Sequence, residues 1–370
     1  MTVPDCEILI RLMQQNQQGD YLQIPEIIDL RSDTVTLPTE EMLEATRHAK
    51  LGDDYYGEDP TVNQLQKMAA EIMGKEAALL VSSGTQANLT SLMANCNRGE
   101  LVILDAESHI YWYEVGGISS IAGLLPWPIR TSKGVYDSEE LKGAFRPKSI
   151  SFPDATLVCV ENTHNRHGGT IITPNQLKEI KEISNQNNLK LYMDGARIFN
   201  ASTALNVSPQ ELTKHVDNLM FCLSKGLCCP VGSLIVGDQM FVNKARKIRK
   251  LLGGQMRQAG IIAASGIIAL EKMVDRLKID HENAKTLGEK ISKINGIILK
   301  PQTIQTNMVI FQLDDRIDGN NFVELLKLQG ILALSLSRNK IRFVTHHGIE
   351  RTHVEKTATT IEEILTKTIS

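Results

Sequence analysis

The chain has 370 residues, 42% apolar and 22% charged, a globular composition at a length that one large and one small domain fill. Its formal net charge of −3, with both signs scattered along the chain, excludes a broad basic field for nucleic acid or an anionic membrane, so any anionic ligand must be gripped by a few placed groups. No apolar run approaches the ~20 residues of a membrane-spanning helix, and six sparse cysteines lay out no disulfide framework.

The opening Met1-Thr-Val-Pro-Asp-Cys-Glu7 lacks a basic segment followed by an apolar one, so no secretion signal is expected. Together with the cysteine pattern this predicts a reducing, cytoplasmic setting. Residues 1–27 read as a polar arm, Gln-rich from Gln14 to Gln18. Beyond it, short apolar runs alternate with amphipathic stretches. Asp59 is placed to cap a helix that has Pro60 at its first position. Buried strands are expected at 77–81, 101–104, 156–160, 189–193, 218–223 and 233–236, with a helix from Pro174 to Asn187. This alternation predicts an α/β fold, a large domain whose mostly parallel sheet lies between helices. After Gly253-Gly254 the pattern changes. One long helical stretch is expected from about Met256 to Ile294, then strands at 308–311, 331–336 and 341–345, a helix near 321–328 between them, and a final helix. Residues 28–275 are read as the large domain and 276–370 as a smaller α/β domain.

Four local features bear on chemistry. Ser82-Ser-Gly-Thr-Gln-Ala-Asn88 follows a strand and opens a helix, where the amides of Gly84 and Thr85 can approach a phosphate; the plain alternative is a capped turn. It has neither the P-loop lysine nor the dinucleotide glycine spacing, which counts against a nucleotide module. Asp194-Gly-Ala-Arg197 ends a strand, where ligands of open α/β sheets bind. There a carboxylate can keep a pyridine nitrogen protonated and Arg197 can fork onto a carboxylate, or the two can simply pair across a turn. Lys225 lies between two buried-type strands, either as a nucleophilic amine or as a surface lysine. His109, with Tyr111-Trp-Tyr113, can stack on a flat cofactor or anchor an aromatic cluster.

The chain resembles the threonine aldolases, fold-type I enzymes that use pyridoxal phosphate. The resemblance rests on nine runs in family order: Ile28-Asp-Leu-Arg-Ser-Asp-Thr-Val-Thr36, Gly52-Asp-Asp-Tyr-Tyr-Gly-Glu-Asp-Pro-Thr-Val-Asn63, Ser83-Gly-Thr-Gln-Ala-Asn88, Glu161-Asn-Thr-His-Asn165, Asp194-Gly-Ala-Arg-Ile-Phe199, Leu223-Ser-Lys-Gly226, Gly253-Gly-Gln-Met-Arg-Gln258, Thr306-Asn-Met308 and Arg342-Phe-Val-Thr-His346. It implies a seven-stranded sheet in the large domain. Lys225 then carries pyridoxal phosphate as an imine, Asp194 holds the pyridine nitrogen and His109 stacks on the ring. Gly84, Thr85 and Arg257 bind the phosphate, and Ser32, Arg197 and Arg342 bind the substrate carboxylate. No metal is expected. The implied reaction is retro-aldol cleavage of L-threonine or L-allo-threonine to glycine and acetaldehyde. The implied assembly is a homodimer or homotetramer with active sites at the dimer interface.

Two positions depart from the family pattern. Many members carry a histidine where this chain has Ser151, and serine does not titrate near neutral pH. Cys228-Cys229 stands where small residues such as Gly, Ala or Thr are usual, readable as two tolerated small side chains or as a redox-sensitive thiol beside the cofactor. A related β-eliminating lyase, a transaminase or an aldolase of another β-hydroxy amino acid shares the fold. A PLP-binding scaffold without turnover would be expected to lose Lys225 or Asp194, and both are present.

Overall fold

The computed structural model describes residues 27–146 and 149–369, so the expected N-terminal arm lies, apart from Ile27, outside the described residues. The chain enters on a two-residue strand, β1 (Ile28–Asp29). It then builds the large sheet from β2 (Ala77–Val81), β3 (Leu101–Asp105), β4 (Leu125–Ile129), β5 (Ala155–Glu161), β6 (Lys190–Asp194), β7 (Asn218–Cys222) and β8 (Ser233–Gly237). The strand order is β2-β8-β7-β6-β5-β3-β4. The pairs from β7 through β4 are parallel, and β8 runs antiparallel to both of its neighbours. Every residue of β3, β7 and β8 is buried, which is why these segments read as continuous apolar runs. Two apolar clusters form on the sheet, one holding Leu80, Val158, Met193 and Phe221, the other Leu79, Leu104, Tyr192 and Met220. β4 was not anticipated. Its Pro126 and Pro128 cannot donate to a ladder, so the segment is tolerated only at the sheet edge, paired with β3 alone.

The helix Pro60–Met73 starts as expected, with the Asp59 carboxylate accepting the amides of Thr61 and Val62. The helix Pro174–Gln186 is opened by a capping box between Thr173 and Gln176. The long stretch expected from 256 to 294 is instead divided into a helix at Gly260–Ile268, a π-turn at Ala269–Met273 and a helix at Leu277–Ile291. Its apolar residues serve two cores. Ala269, Leu270, Met273 and Leu277 face the large sheet, whereas Ala284, Leu287 and Ile291 join a separate C-terminal core. A π-turn inserts an extra residue per turn and rotates the apolar stripe from one core toward the other.

That C-terminal core lies on a four-stranded antiparallel sheet of order β12-β13-β10-β9, built from β9 (Ile297–Ile298), β10 (Met308–Leu313), β12 (Leu334–Ser337) and β13 (Lys340–Val344). The strand expected over 331–336 is split. Its first part, β11 (Ile331–Leu332), pairs in parallel with β1, and its second part, β12, pairs with β13. Ile28 and Leu30 therefore pack with Phe311 and Phe343 in the C-terminal core. The residues after β1 are thereby carried to the seam between the two sheets.

One buried ion pair ties the Asp53-Asp54 loop to the large sheet. The fully buried Arg249 donates to Asp54 Oδ2 at 2.5 Å and to the Leu80 carbonyl at 2.7 Å. Arg249→Met leaves the buried Asp54 carboxylate to the Gln255 amide at 2.9 Å and to Arg246 at 3.8 Å, without its short ion pair, so urea unfolding should show a loss of about 3–5 kcal/mol, with part of it regained by adding Asp54→Asn. Equal losses in the single and double variants would show that the ion pair is not the source.

Candidate active site

Most of the expected site residues come from four strand ends of the large sheet and the loops after them, and Asn165 adds a fifth. Asp194 is the last residue of β6, and Lys225 follows β7 by three residues. The run from Ser82 follows β2, His109 follows β3, and Asn165 follows β5. All these strands run parallel, so their carboxyl ends open on one edge of the sheet, as in other open α/β folds. Ser32, His109, Arg197, Lys225 and Arg342 line one cavity of about 260 Å³ there, with Thr34, Tyr113, Asn165, Leu334 and Leu336. Lys225 is held by its backbone: its carbonyl accepts the Thr36 hydroxyl at 2.8 Å and the Cys228 amide at 2.9 Å.

Asp194 sits beneath this cavity and is 2% exposed. Its Oδ1 accepts the Ala196 amide at 3.0 Å and its Oδ2 accepts Asn88 Nδ2 at 2.8 Å. The same Asn88 nitrogen donates to Glu114 Oε1 at 2.7 Å, and that oxygen lies 3.0 Å from His109 Nδ1. Ring and carboxylate atoms of His109, Glu114 and Asp194 lie within 4.8 Å of one another. Burial opposes a charged imidazole at His109, but the Glu114 hydrogen bond and the carboxylates of Asp194 and Glu161 outweigh it and raise the histidine's pKa. Burial raises the pKa of Glu114 as well, with the nearby Asp194 charge adding to it. Glu114 and Asn88 carry no role in the sequence reading. Asn88 lies in a recognised run, but nothing local marks Glu114.

Asp33 is the other residue that sequence reasoning missed. It is fully buried and forked onto Arg197, with Nε donating to Oδ2 at 2.7 Å and Nη2 to Oδ1 at 2.6 Å. Burial alone would raise this carboxyl; the Arg197 guanidinium, helped by Lys225, overrides it and lowers the pKa from 3.8 to about 2. Arg197 therefore pairs with Asp33 rather than with Asp194, its neighbour in sequence. Arg342 is different. It is 7% exposed and, among the described residues, donates only to neutral acceptors, Asn165 Oδ1 at 2.8 Å and the Arg31 carbonyl at 3.1 Å, while its buried Nε has no partner there. Burial and the adjacent Arg197 charge bring its pKa down to about 10. A buried guanidinium without an anion is unfavourable until a carboxylate arrives.

Gly84 opens a twelve-residue helix, Gly84–Asn95. A Cβ at Gly84 would come within 3.0 Å of Cys222 Sγ, so glycine keeps the backbone close to the strand end and leaves its amide facing outward with that of Thr85. A cradle of amides, a lysine, a buried carboxylate and an imidazole at one sheet edge fit a phosphorylated pyridine aldehyde. Arg257 does not line the cavity of its own chain. It is exposed, 3.1 Å from Asp53, and lies 5.4 Å from the centre of the Tyr55 ring. Ser151 is also away from the cavity, exposed on a loop beside the fully exposed Ile150.

Cys228 and Cys229 are buried, and burial pushes the Cys228 thiol up to about 11 and that of Cys229 higher still. These are inert packing residues, which removes the reading of a redox-sensitive thiol. Cys228 has a φ of 65°, a left-handed backbone that glycine adopts without strain, which accounts for small residues being usual at this place. The other described cysteines, Cys96, Cys159 and Cys222, are buried too. In a Cys6→Ser chain a thiol reagent should therefore label nothing in the native fold, with or without cofactor; rapid labelling of Cys228 would overturn this account.

The model of the beta-eliminating lyase family matches residues 29–314. Low-specificity L-threonine aldolase 1 of Arabidopsis thaliana is 42% identical over 344 residues, which span 91% of this chain and 96% of the relative. The low specificity L-threonine aldolase of Escherichia coli K12 is 40% identical over 333 residues, spanning 90% and 97%. Among solved structures, a threonine aldolase of Leishmania major has a TM-score of 0.78 at 18% identity, covering 91% of this chain and 99% of that one, a likeness of fold. By sequence, the chain belongs to the beta-eliminating lyase family, in the branch of the threonine aldolases.

Proposed function

We propose that this protein is a pyridoxal-phosphate-dependent aldolase that cleaves L-threonine or L-allo-threonine to glycine and acetaldehyde. The observation that carries this reading is the meeting of Lys225, His109 and an anion-free Arg342 in one cavity at the carboxyl edge of the sheet. When bound, pyridoxal phosphate supplies the electron sink for the cleavage. Lys225 Nζ would anchor it, Asp194 would face its ring nitrogen, His109 would lie on its ring, and the Gly84 and Thr85 amides would hold its phosphate.

Arg342 takes the substrate carboxylate, which satisfies its orphaned Nε. Arg197 uses Nε and one N–H of Nη2 on Asp33, so its other Nη hydrogens can add to that grip, beside the Ser32 hydroxyl. His109 is the one histidine lining the cavity among the described residues. Glu114 holds its Nδ1, which leaves Nε2 to take the proton from the β-hydroxyl in place of the histidine that Ser151 replaces.

Exposed apolar side chains support a homodimer or homotetramer. Tyr55, Tyr56, Leu51, Leu251 and Ile261 are 46%, 70%, 47%, 75% and 48% exposed. Tyr55 also carries Lys250 and Arg257 above its ring. Arg257 would then reach the phosphate of a neighbouring copy, which light scattering should support with a mass of two or four chains. A monomer at assay concentration would count against it. Residues 28–275 and 276–370 would act as large and small domains, with β1 tying the first to the second. A cytoplasmic setting is part of this reading, and among the described residues no helix is long and apolar enough to cross a membrane.

Purified protein should show the near-visible absorbance of bound cofactor and release glycine from L-threonine, L-allo-threonine or phenylserine but not from the D-isomers. A protein that stays colourless with added pyridoxal phosphate would sink the proposal. His109→Asn should lower kcat about 10²–10⁴-fold with the absorbance retained. Because the raised pKa keeps the imidazole protonated to higher pH, kcat/KM should fall as pH drops through a midpoint above the ordinary 6.5, and Glu114→Gln should move that midpoint down.

A further inference from the structure

We propose that Asp105, His164 and His167 form a binding site for a zinc-like divalent metal ion, separate from the cofactor cleft. Asp105 ends β3, His164 follows β5, and His167 lies in the turn after it. Asp105 Oδ1 is 3.1 Å from His164 Nε2 and 3.7 Å from His167 Nε2, and the three ligand atoms lie within 4.8 Å of one another. Metal–ligand bonds of about 2.0–2.2 Å in a tetrahedron separate neighbouring ligands by about 3.4 Å. The two distances from Asp105 Oδ1 are therefore already near the spacing a small cation imposes.

The hydrogen bonding is incomplete without such an ion. One carboxylate oxygen faces two imidazoles and also accepts the Glu107 amide at 2.7 Å. It bonds His164 Nε2, whereas His167 Nε2, 3.7 Å from it, is buried and makes no hydrogen bond among the described residues. A cation bound to all three atoms would give His167 Nε2 a partner while keeping His164 Nε2 occupied.

The surroundings are built to hold these groups in place. The Thr131 hydroxyl donates to the other Asp105 oxygen. The His164 backbone is fixed by bonds to Thr170 and from Gly169, each at 2.9 Å. Gly134 lies against the His164 ring, where a Cβ would come within 2.5 Å of Cδ2. Orienting partners of this kind are typical of the shell around metal ligands. Glu161 Oε2, 4.0 Å from His164 Nε2, supplies a second carboxylate, so a divalent ion would be electrically balanced.

His167 also lines a cavity of about 360 Å³ between the two sheets, which gives an ion a path in and a water its place as fourth ligand. Lys133 and Arg166 line that cavity too. Arg166 is offset by Glu107 at 3.2 Å, which leaves the charges of Lys133 and Lys340 on the cavity wall. The site borders the cofactor cleft: Asn165, next to His164, lines that cleft, Arg166 lies 6.0 Å from the centre of the Tyr113 ring, and Glu161 accepts the His109 amide at 2.7 Å. The assignment does not depend on the aldolase reading.

The test uses untagged holoenzyme stripped with chelator and titrated with Co²⁺, read by its visible ligand-field absorption, and with Zn²⁺ by calorimetry. The expected result is one ion per chain, with binding weakened at least tenfold in both His167→Ala and His167→Gln while cofactor absorbance is retained. No binding by the holoenzyme would overturn the proposal. So would undiminished binding in either folded variant, because the ion would then sit elsewhere.

Discussion

The forked pair between Asp33 and Arg197 is the interaction on which the site depends. Asp33 arrives with β1, which pairs with β11 in a two-stranded sheet of its own and whose apolar neighbours belong to the C-terminal core. Arg197 arrives at the end of β6, in the large sheet. Two short charge-assisted bonds between fully desolvated groups lock these layers together. With Asp33 in place, Ser32 lines the cavity and the Thr36 hydroxyl reaches the Lys225 carbonyl. A buried pair of this kind contributes little net stability, because desolvation offsets attraction, but breaking it strands a charge and costs several kcal/mol. Its value here is positional. It brings the cationic edge of Arg197 and the unpaired Arg342 to the same wall of the cavity.

A second network works on the opposite wall. Asn88 donates one nitrogen to both Asp194 and Glu114 and accepts the Tyr192 hydroxyl at 2.7 Å. The helix from Gly84 therefore carries the Gly84 and Thr85 amides at its start and the bridge between two buried carboxylates one turn later. The amides proposed for the phosphate and the carboxylate proposed for the ring nitrogen are thus tied to one rigid element.

The sequence by itself determined the strands that are buried on both faces, the caps at Asp59 and Thr173, and the run of motifs that places Lys225, Asp194, His109 and Gly84 at strand ends. These are local facts. Burial on both faces leaves an unbroken apolar run, a cap is a side chain within three residues of its amide, and a motif is contiguous. The tertiary structure decided the rest. The proline-bearing β4 could be recognised only by its place at the sheet edge. The break of the 256–294 stretch and the split of 331–336 follow from each segment serving two partners at once, which a periodicity cannot register. Asp33 against Arg197, Glu114 against His109, and Asp105 between two histidines join residues far apart in the chain. Their meaning depends on burial, because a carboxylate that is a solvated charge on the surface becomes, once desolvated, a group that must find a cation, a donor or a metal.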